Sequence, residues 1–283
     1  MPLSIHAAHS LEEQALEPYR TLKRPSEHRE RGFFITEGEK VVRRLLESRL
    51  RVLSLLLTQE WFEYCRPMLE TRQEAIEVYI ADKALMETIV GFHLHNGIMA
   101  MAKIPAGTDV GSIAAKSPKP LLFVALDGIM NSENMGVIVR NCVSLGVEAI
   151  LVGETSCDPY LRRSVRNSMG NVFSIPIVYL TNIVGELGAL RSSLGMSIIG
   201  AHPREGSHDI SRVDFSGNCC IVFGSEGDGI SSAVLTACDT VAMIPMMNEV
   251  DSINVGSASA VFLYEARRQR MITRLPARGG TTV

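Results

Sequence analysis

Leu121-Leu122-Phe123-Val124-Ala125-Leu126, followed by Asn134-x-Gly136-x-x-x-Arg140, is the stretch that sets the fold. Six consecutive apolar residues read as a strand buried on both faces, as in a parallel sheet. A turn and then a helical pattern follow. Open α/β sheets place ligands where a buried strand feeds such a turn. Arg140 comes four residues after Gly136, about one helical turn, so it can sit near the same strand end. An arginine there can meet a phosphate or a developing oxyanion.

The same alternation continues downstream. Strand patterns fall at 148–153, 172–179, 196–201, 219–224 and 240–245, with helical patterns near 135–145, 159–169, 183–194, 231–238 and 254–270. Asp158-Pro159 has the form of a helix start, an N-cap followed by proline at the first helical position. Nearly continuous apolar strands alternating with helices predict a mostly parallel sheet covered on both faces. This domain is expected over 121–283. Residues 105–120, rich in Pro, Gly and Ser, read as a linker.

Upstream, 1–104 reads as a small α/β domain, with residues 1–16 loosely held. Its strands are expected at 52–57, 76–80 and 98–102. Thr36-x-x-Glu39 has the spacing of a capping box before a helix carrying Val41, Val42, Leu45 and Leu46. Asp82 is placed to cap a later helix. A basic run, Arg20, Lys23, Arg24, Arg29 and Arg31, with Lys40 beyond it, could follow an RNA backbone or simply form a solvated face.

The 283 residues carry a formal net charge of -3, which excludes a wholesale polycation but leaves room for a local basic face. The six cysteines form no Cys-x-x-Cys and mostly lie in apolar runs, as buried thiols of a reducing compartment do. The start lacks a basic region followed by a long apolar stretch, and no segment approaches the roughly 20 apolar residues of a membrane span. A cytoplasmic protein is expected. The histidines, including His93, His95, His202 and His208, form no metal-ligand set, so no metal is expected.

Two later segments bear on Arg140. Phe223-Gly224-Ser225-Glu226-Gly227-Asp228-Gly229 follows a strand, and its three glycines let backbone approach a ligand or make a tight turn. It is neither a Walker A loop nor a Gly-x-Gly-x-x-Gly fingerprint, which argues against a dehydrogenase-like nucleotide binder. In Ile244-Pro245-Met246…Ser252-Ile253-Asn254-Val255, Ser252 and Asn254 bring a hydroxyl and an amide to a helix start, where capping alone would also explain them.

Taken together, in this order and spacing, the three segments resemble the SpoU family of the SPOUT superfamily. Its members are S-adenosylmethionine-dependent RNA 2′-O-ribose methyltransferases. The resemblance covers about 121–270. Arg166-x-Ser168-x-Gly170 fits a weaker family element. Gly32-Phe33-Phe34-Ile35-Thr36-Glu37-Gly38-Glu39-Lys40 looks like the family's N-terminal substrate-binding domain of ribosomal L30 type. Two positions depart from the pattern: Ser132 replaces a usual proline, and Gly256 replaces a usual serine, which would remove a hydroxyl close to the cofactor pocket.

The resemblance implies a C-terminal trefoil knot whose loops hold the cofactor, and a homodimer paired through the catalytic domains. Gly224, Ile244 and Ile253 match positions whose backbone holds the adenosyl group, and Glu226, Gly227 and Met246 would shape the same pocket. Arg140 would act at the ribose 2′-hydroxyl, as base or as stabiliser of the developing oxyanion. Asn134, Ser252 and Asn254 would orient it. Arg166 would bind RNA phosphate, or with Arg162 and Arg163 form a solvated face. The substrate is expected to be structured rRNA or tRNA. The alternative is a non-catalytic RNA-binding protein that kept the fold.

Overall fold

The computed structural model describes residues 3–90 and 97–274. His93 and His95, and residues 275–283 of the second domain, lie outside the described residues. The chain forms two compact units: Met1–Ala106 with Pro159–Ser174, and Gly107–Asp158 with Ile175–Val283.

The first unit is built on a five-stranded sheet. Its strands are β1 (Ser4–Ala7), β2 (Phe33–Glu37), β3 (Val52–Leu57), β4 (Glu77–Ile80) and β5 (Ile98–Lys103), in the order β1-β4-β3-β5-β2. Its first helices are α1 (Glu17–Arg20), α2 (Pro25–Glu30), α3 (Glu39–Glu47), α4 (Gln59–Glu70) and α5 (Lys83–Val90). Leu16, Tyr19, Phe33, Leu56, Met86 and Met99 share one core. The buried Tyr19 hydroxyl is satisfied by Ser54 Oγ at 2.7 Å.

Residues 4–7, within the stretch read as loosely held, pair with Glu77–Ile80 as the edge strand β1. Backbone pairing fixes them, so no apolar alternation is needed. The expected capping box does not form. Thr36 is a buried strand residue opposite Ala100, and α3 starts only at Glu39 from Gly38. Asp82 does cap α5, accepting from the Leu85 amide at 2.7 Å.

The second unit begins with α6 (Val110–Lys116), inside the stretch read as linker. Its Ile113 and Ala114 join the core, which turns a polar-looking connection into a packed helix. Then come β6 (Leu122–Asp127), α7 (Ser132–Leu145), β7 (Ala149–Val152), α8 (Arg162–Asn167, part of the first unit), β8 (Ile177–Tyr179), α9 (Ile183–Leu194) and β9 (Ser197–Ala201). The chain ends through β10 (His208–Asp209), β11 (Cys219–Gly224), α10 (Ser232–Ala237), β12 (Thr240–Met243) and α11 (Val255–Arg274). Seven strands lie in the order β10-β12-β9-β11-β6-β7-β8, and every pairing is parallel. The central strands are buried on both faces, as their apolar runs require. Phe123 and Ala125 point to the core shared with Leu187 and Ile230. On α11, Phe262 meets Phe215 and Phe223 edge-on, with centroids 6.4 and 5.9 Å apart.

Two sequence expectations fail between β7 and β8. Asp158 does not cap a helix: it accepts from the Tyr179 hydroxyl at 2.8 Å, and α8 starts at Arg162 after Leu161. The strand expected over 172–179 is only Ile177–Tyr179, because Asn171–Ser174 winds as a short 3-10 helix. Phe173 there stacks on Phe34 of the first unit's sheet, with centroids 5.6 Å apart. Its apolar character serves that core rather than a strand.

Arg270 ties α11 to the base of the parallel sheet. Its guanidinium donates to the carbonyls of Pro120, Leu121, Phe215 and Gly217 at 2.7–2.9 Å, and the side chain is buried. Removing such a group strands buried acceptors. Arg270→Met is therefore expected to lower unfolding free energy by about 3 kcal/mol. Urea denaturation measures it, and a loss below about 1 kcal/mol would assign the anchoring elsewhere.

Candidate active site

Asn131 starts α7: its side chain accepts from the amides of Glu133 at 2.8 Å and Asn134 at 3.4 Å. This fixes Asn134 in the first helical turn, where it is nearly buried. Asn134 Nδ2 donates to Glu226 Oε1 at 2.8 Å, and Asn134 Oδ1 accepts from Asn254 Nδ2 at 3.0 Å. Asn254 Oδ1 in turn accepts from the Gly256 amide at 2.8 Å. The carboxylate only accepts, so it turns the NH2 of Asn134 toward itself and sets the direction of every later bond. One relay thus joins the three segments singled out in the sequence.

The glycine loop folds back on itself at the end of β11. Ser225 N donates to Gly229 O at 2.9 Å. A Cβ at Gly224 would lie 2.1 Å from Gly229 C and Ile230 N, so only glycine fits there. The returning chain is tied to the end of β6, with Ser231 N donating to Asp127 Oδ2 at 2.8 Å. Between this loop, residues 201–203 and residues 252–255 lies a cavity of about 380 Å³. Gly224, Glu226, Gly227, Ser252, Ile253 and Asn254 are among its lining residues. It sits at the carboxyl ends of β9 and β11, the end of the strands at which open α/β sheets hold ligands. Its size suits a small ligand. The backbone cradle at Gly224, with Phe223 and Ile253 beside it, fits the edge and faces of an adenosyl group.

Other predicted residues fall differently. Ile244 and Met246 are partly buried in the stretch after β12 and do not line this cavity. Arg140 is exposed on α7, and has no hydrogen-bond or ion-pair partner among the described residues. Gly256 itself is not among the residues lining the cavity, though its neighbour Val255 is. A Cβ at Gly256 would point at α7, 2.9 Å from Val137 Cγ1. The sequence reading passed over two residues. Asn141 donates to Gly256 O at 2.8 Å and Ser259 Oγ at 2.9 Å, clamping α7 to α11. His202, named above only among histidines that form no metal-ligand set, lines the cavity, and burial together with Arg204 holds its pKa below the ordinary histidine value. No spacing rule marks either residue, since both act across the fold.

The basic residues belong to the first unit, where much of their charge is already answered. Arg20 pairs with Glu12, Arg24 with Glu27 at 3.6 Å, and Arg31 with Glu17 at 2.7 Å. Lys23, Arg29 and Lys40 are exposed. Both oxygens of Glu37 accept from Arg162 Nη1 at 2.9 Å, and Arg166 reaches Glu37 at 3.5 Å. The exposed Arg24–Glu27 pair is of a kind worth about 1 kcal/mol or less, whereas the Glu37 carboxylate is largely covered. Among the described residues no cluster of His, Cys, Asp or Glu could hold a metal ion, and no helix is long and apolar enough to cross a membrane.

The pattern of the SpoU rRNA methylase family matches residues 121–264, a span that takes in all three segments of the relay. The chain belongs to the SpoU family. An uncharacterized tRNA/rRNA methyltransferase of Mycobacterium bovis is 31% identical over 254 residues, 87% of this chain and 84% of that protein. The 23S rRNA (guanosine-2′-O-)-methyltransferase RlmB of Vibrio vulnificus is 35% identical over 184 residues, 64% of this chain and 73% of its own. The SpoU methyltransferase AviRb of Streptomyces viridochromogenes, solved in complex with the cofactor AdoMet, has a TM-score of 0.79 at 25% identity. That likeness covers 92% of this chain and 100% of AviRb.

Gly256 lets two helices of this SpoU domain approach closely. Gly256→Ala is expected to destabilise the protein by about 1–3 kcal/mol through overpacking against Val137. In a Val137→Ala background the cost should fall, leaving the remainder due to Asn254 Oδ1 at 3.0 Å and the residue 137 Cβ at 3.2 Å. Thermal or chemical denaturation of the double-mutant cycle checks this, and an equal cost in both backgrounds would mean that the two positions do not touch.

Proposed function

We propose that this SpoU protein transfers a methyl group from S-adenosylmethionine to a ribose 2′-hydroxyl of structured RNA, rRNA or tRNA. The observation that carries the reading is the relay Glu226–Asn134–Asn254, which ties α7 to the glycine loop and to the start of α11, two walls of one cavity. RlmB, named as a guanosine 2′-O-methyltransferase of 23S rRNA, supports the ribose as acceptor. AviRb, solved with AdoMet, supports the cofactor.

When bound, S-adenosylmethionine supplies an electrophilic methyl on a sulfonium. The chain must place the 2′-oxygen in line with it and answer the charge that grows there. In this reading Gly224 and Ile253 hold the adenosyl group by backbone contacts, with Glu226 and Gly227 closing the loop over it. Ile244, by its backbone, and Met246 would join these contacts only on cofactor binding, since neither lines the cavity. Asn134, Ser252 and Asn254 orient the ribose. Arg140, without a partner among the described residues, is free to meet the 2′-oxygen or the adjoining phosphate. Its guanidinium stays protonated in ordinary surroundings, which favours oxyanion stabilisation over proton removal.

The remaining parts of the proposal concern assembly. The first unit, with Arg20, Lys23, Arg24, Arg29, Arg31, Lys40 and Arg166, would bind the RNA. The trefoil knot would tie the cofactor loops, and the protein would work in the cytoplasm as a homodimer through its catalytic unit. Val137 on α7 and Val261 and Tyr264 on α11, 36%, 39% and 61% exposed, are apolar surface that a second copy would cover.

Arg140→Ala is expected to cut methyl transfer at least ~10²-fold while S-adenosylhomocysteine affinity stays within about threefold. Labelled methyl transfer to rRNA and tRNA, with mass spectrometry of the nucleosides, reads the first quantity, and calorimetry the second. Methylation of a base instead of the ribose, or no methylation despite binding of both cofactor and RNA, would contradict the proposal.

A further inference from the structure

His202 follows β9 and forms one wall of the cavity. Its backbone is fixed on both sides: His202 N donates to Ala242 O at 3.0 Å, and its carbonyl accepts from Ser207 Oγ at 3.1 Å. The ring lies against the glycine loop. Ile230 N donates to His202 Nδ1 at 3.4 Å, and a Cβ at Gly229 would stand 2.4 Å from the same nitrogen. Gly229 also has a φ of +71°, so both space and backbone keep a side chain away. An Nδ1 that accepts must be unprotonated, which leaves the proton on Nε2.

We infer that His202 is a positioning residue for the cofactor loop: its neutral, Nε2-protonated ring latches Ile230 and Gly229, and so holds the 224–230 loop in the shape that grips the adenosyl group. This rests on the cofactor reading given above. The latch opens when the ring gains a proton, because Nδ1–H and the Ile230 amide are then two donors facing each other. Arg204 on the same loop opposes that proton, and the carboxylates Glu226 and Asp228 of the glycine loop also line the cavity. The strand residues 240–243 and the lining residues 252–255 carry no ionisable side chain. Burial already lowers the ring's pKa. The latch is therefore complete above the ordinary histidine pKa and is lost as pH falls through the lowered one.

The test is calorimetric titration of S-adenosylhomocysteine into the full-length wild type, His202→Ala and His202→Asn, from neutral to mildly acid pH. The Asn Oδ1 occupies the same place along the side chain as Nδ1 and accepts without titrating. At neutral pH the alanine variant is expected to bind about tenfold more weakly, one lost hydrogen bond's worth. The asparagine variant should recover most of this. Wild-type affinity should decline on acidification, and that of the asparagine variant should decline less. Thermal melts of all three establish that they are folded. Wild-type affinity in the alanine variant, equal weakness of both folded variants, or the same acid decline in wild type and His202→Asn would overturn the latch. Failure of the wild type itself to bind would remove the cofactor reading, and the latch with it.

Discussion

The side-chain amide of Asn134 lies between a carboxylate and a second amide, and this arrangement sets the geometry of the candidate active site. Glu226 can only accept, so the NH2 of Asn134 must turn to it, and the carbonyl is left for Asn254. The carbonyl of Asn254 then takes the Gly256 amide at the start of α11. Reversing any amide would set donor against donor. Three segments far apart in the chain thereby acquire one relative placement, held by partners that are close to 3 Å apart at each step.

That relay needs a stiff frame. The parallel sheet supplies it through strands buried on both faces, and Arg270 fastens the far end of α11 to the base of β6 and to the approach to β11. At the near end, Asn141 and Gly256 bring α7 and α11 together. The site therefore lies beside a helix, α11, fixed at both ends, while its cavity opens at the carboxyl edge of the sheet, where loops can vary without disturbing the strands. Arg140 projects from the rigid helix α7 without a partner among the described residues, which suits a group whose counter-charge arrives with the substrate.

The strands were the most legible part of the chain, because 121–126 and 219–224 are apolar runs that only a doubly covered sheet satisfies. Local capping signals were less dependable. Thr36 and Asp158 have the right chemistry for N-caps, but sheet pairing and a tyrosine hydroxyl claim them first. Phe173 sits in a strand-like pattern yet serves another core. At the site, the residue types and order of the three segments indicated which elements converge. Their actual bonds span 92 and 120 residues of chain, a separation that no periodicity encodes. His202 and Asn141 escaped notice for the same reason. The basic run was legible as charge, and its Arg24–Glu27 pair is local, but the pairing of Arg31 with Glu17 is set by the fold.

The central claim is that the glycine loop and the 252–255 segment form the cofactor site while Arg140 stays on the substrate side. A crystal structure of the protein with S-adenosylhomocysteine tests it most directly. The account predicts the adenosyl group between the backbones of Gly224 and Ile253, the Asn134 relay intact, and Arg140 outside the cofactor's contacts. Density for the cofactor elsewhere in the fold, or a guanidinium of Arg140 bonded to it, would contradict the account.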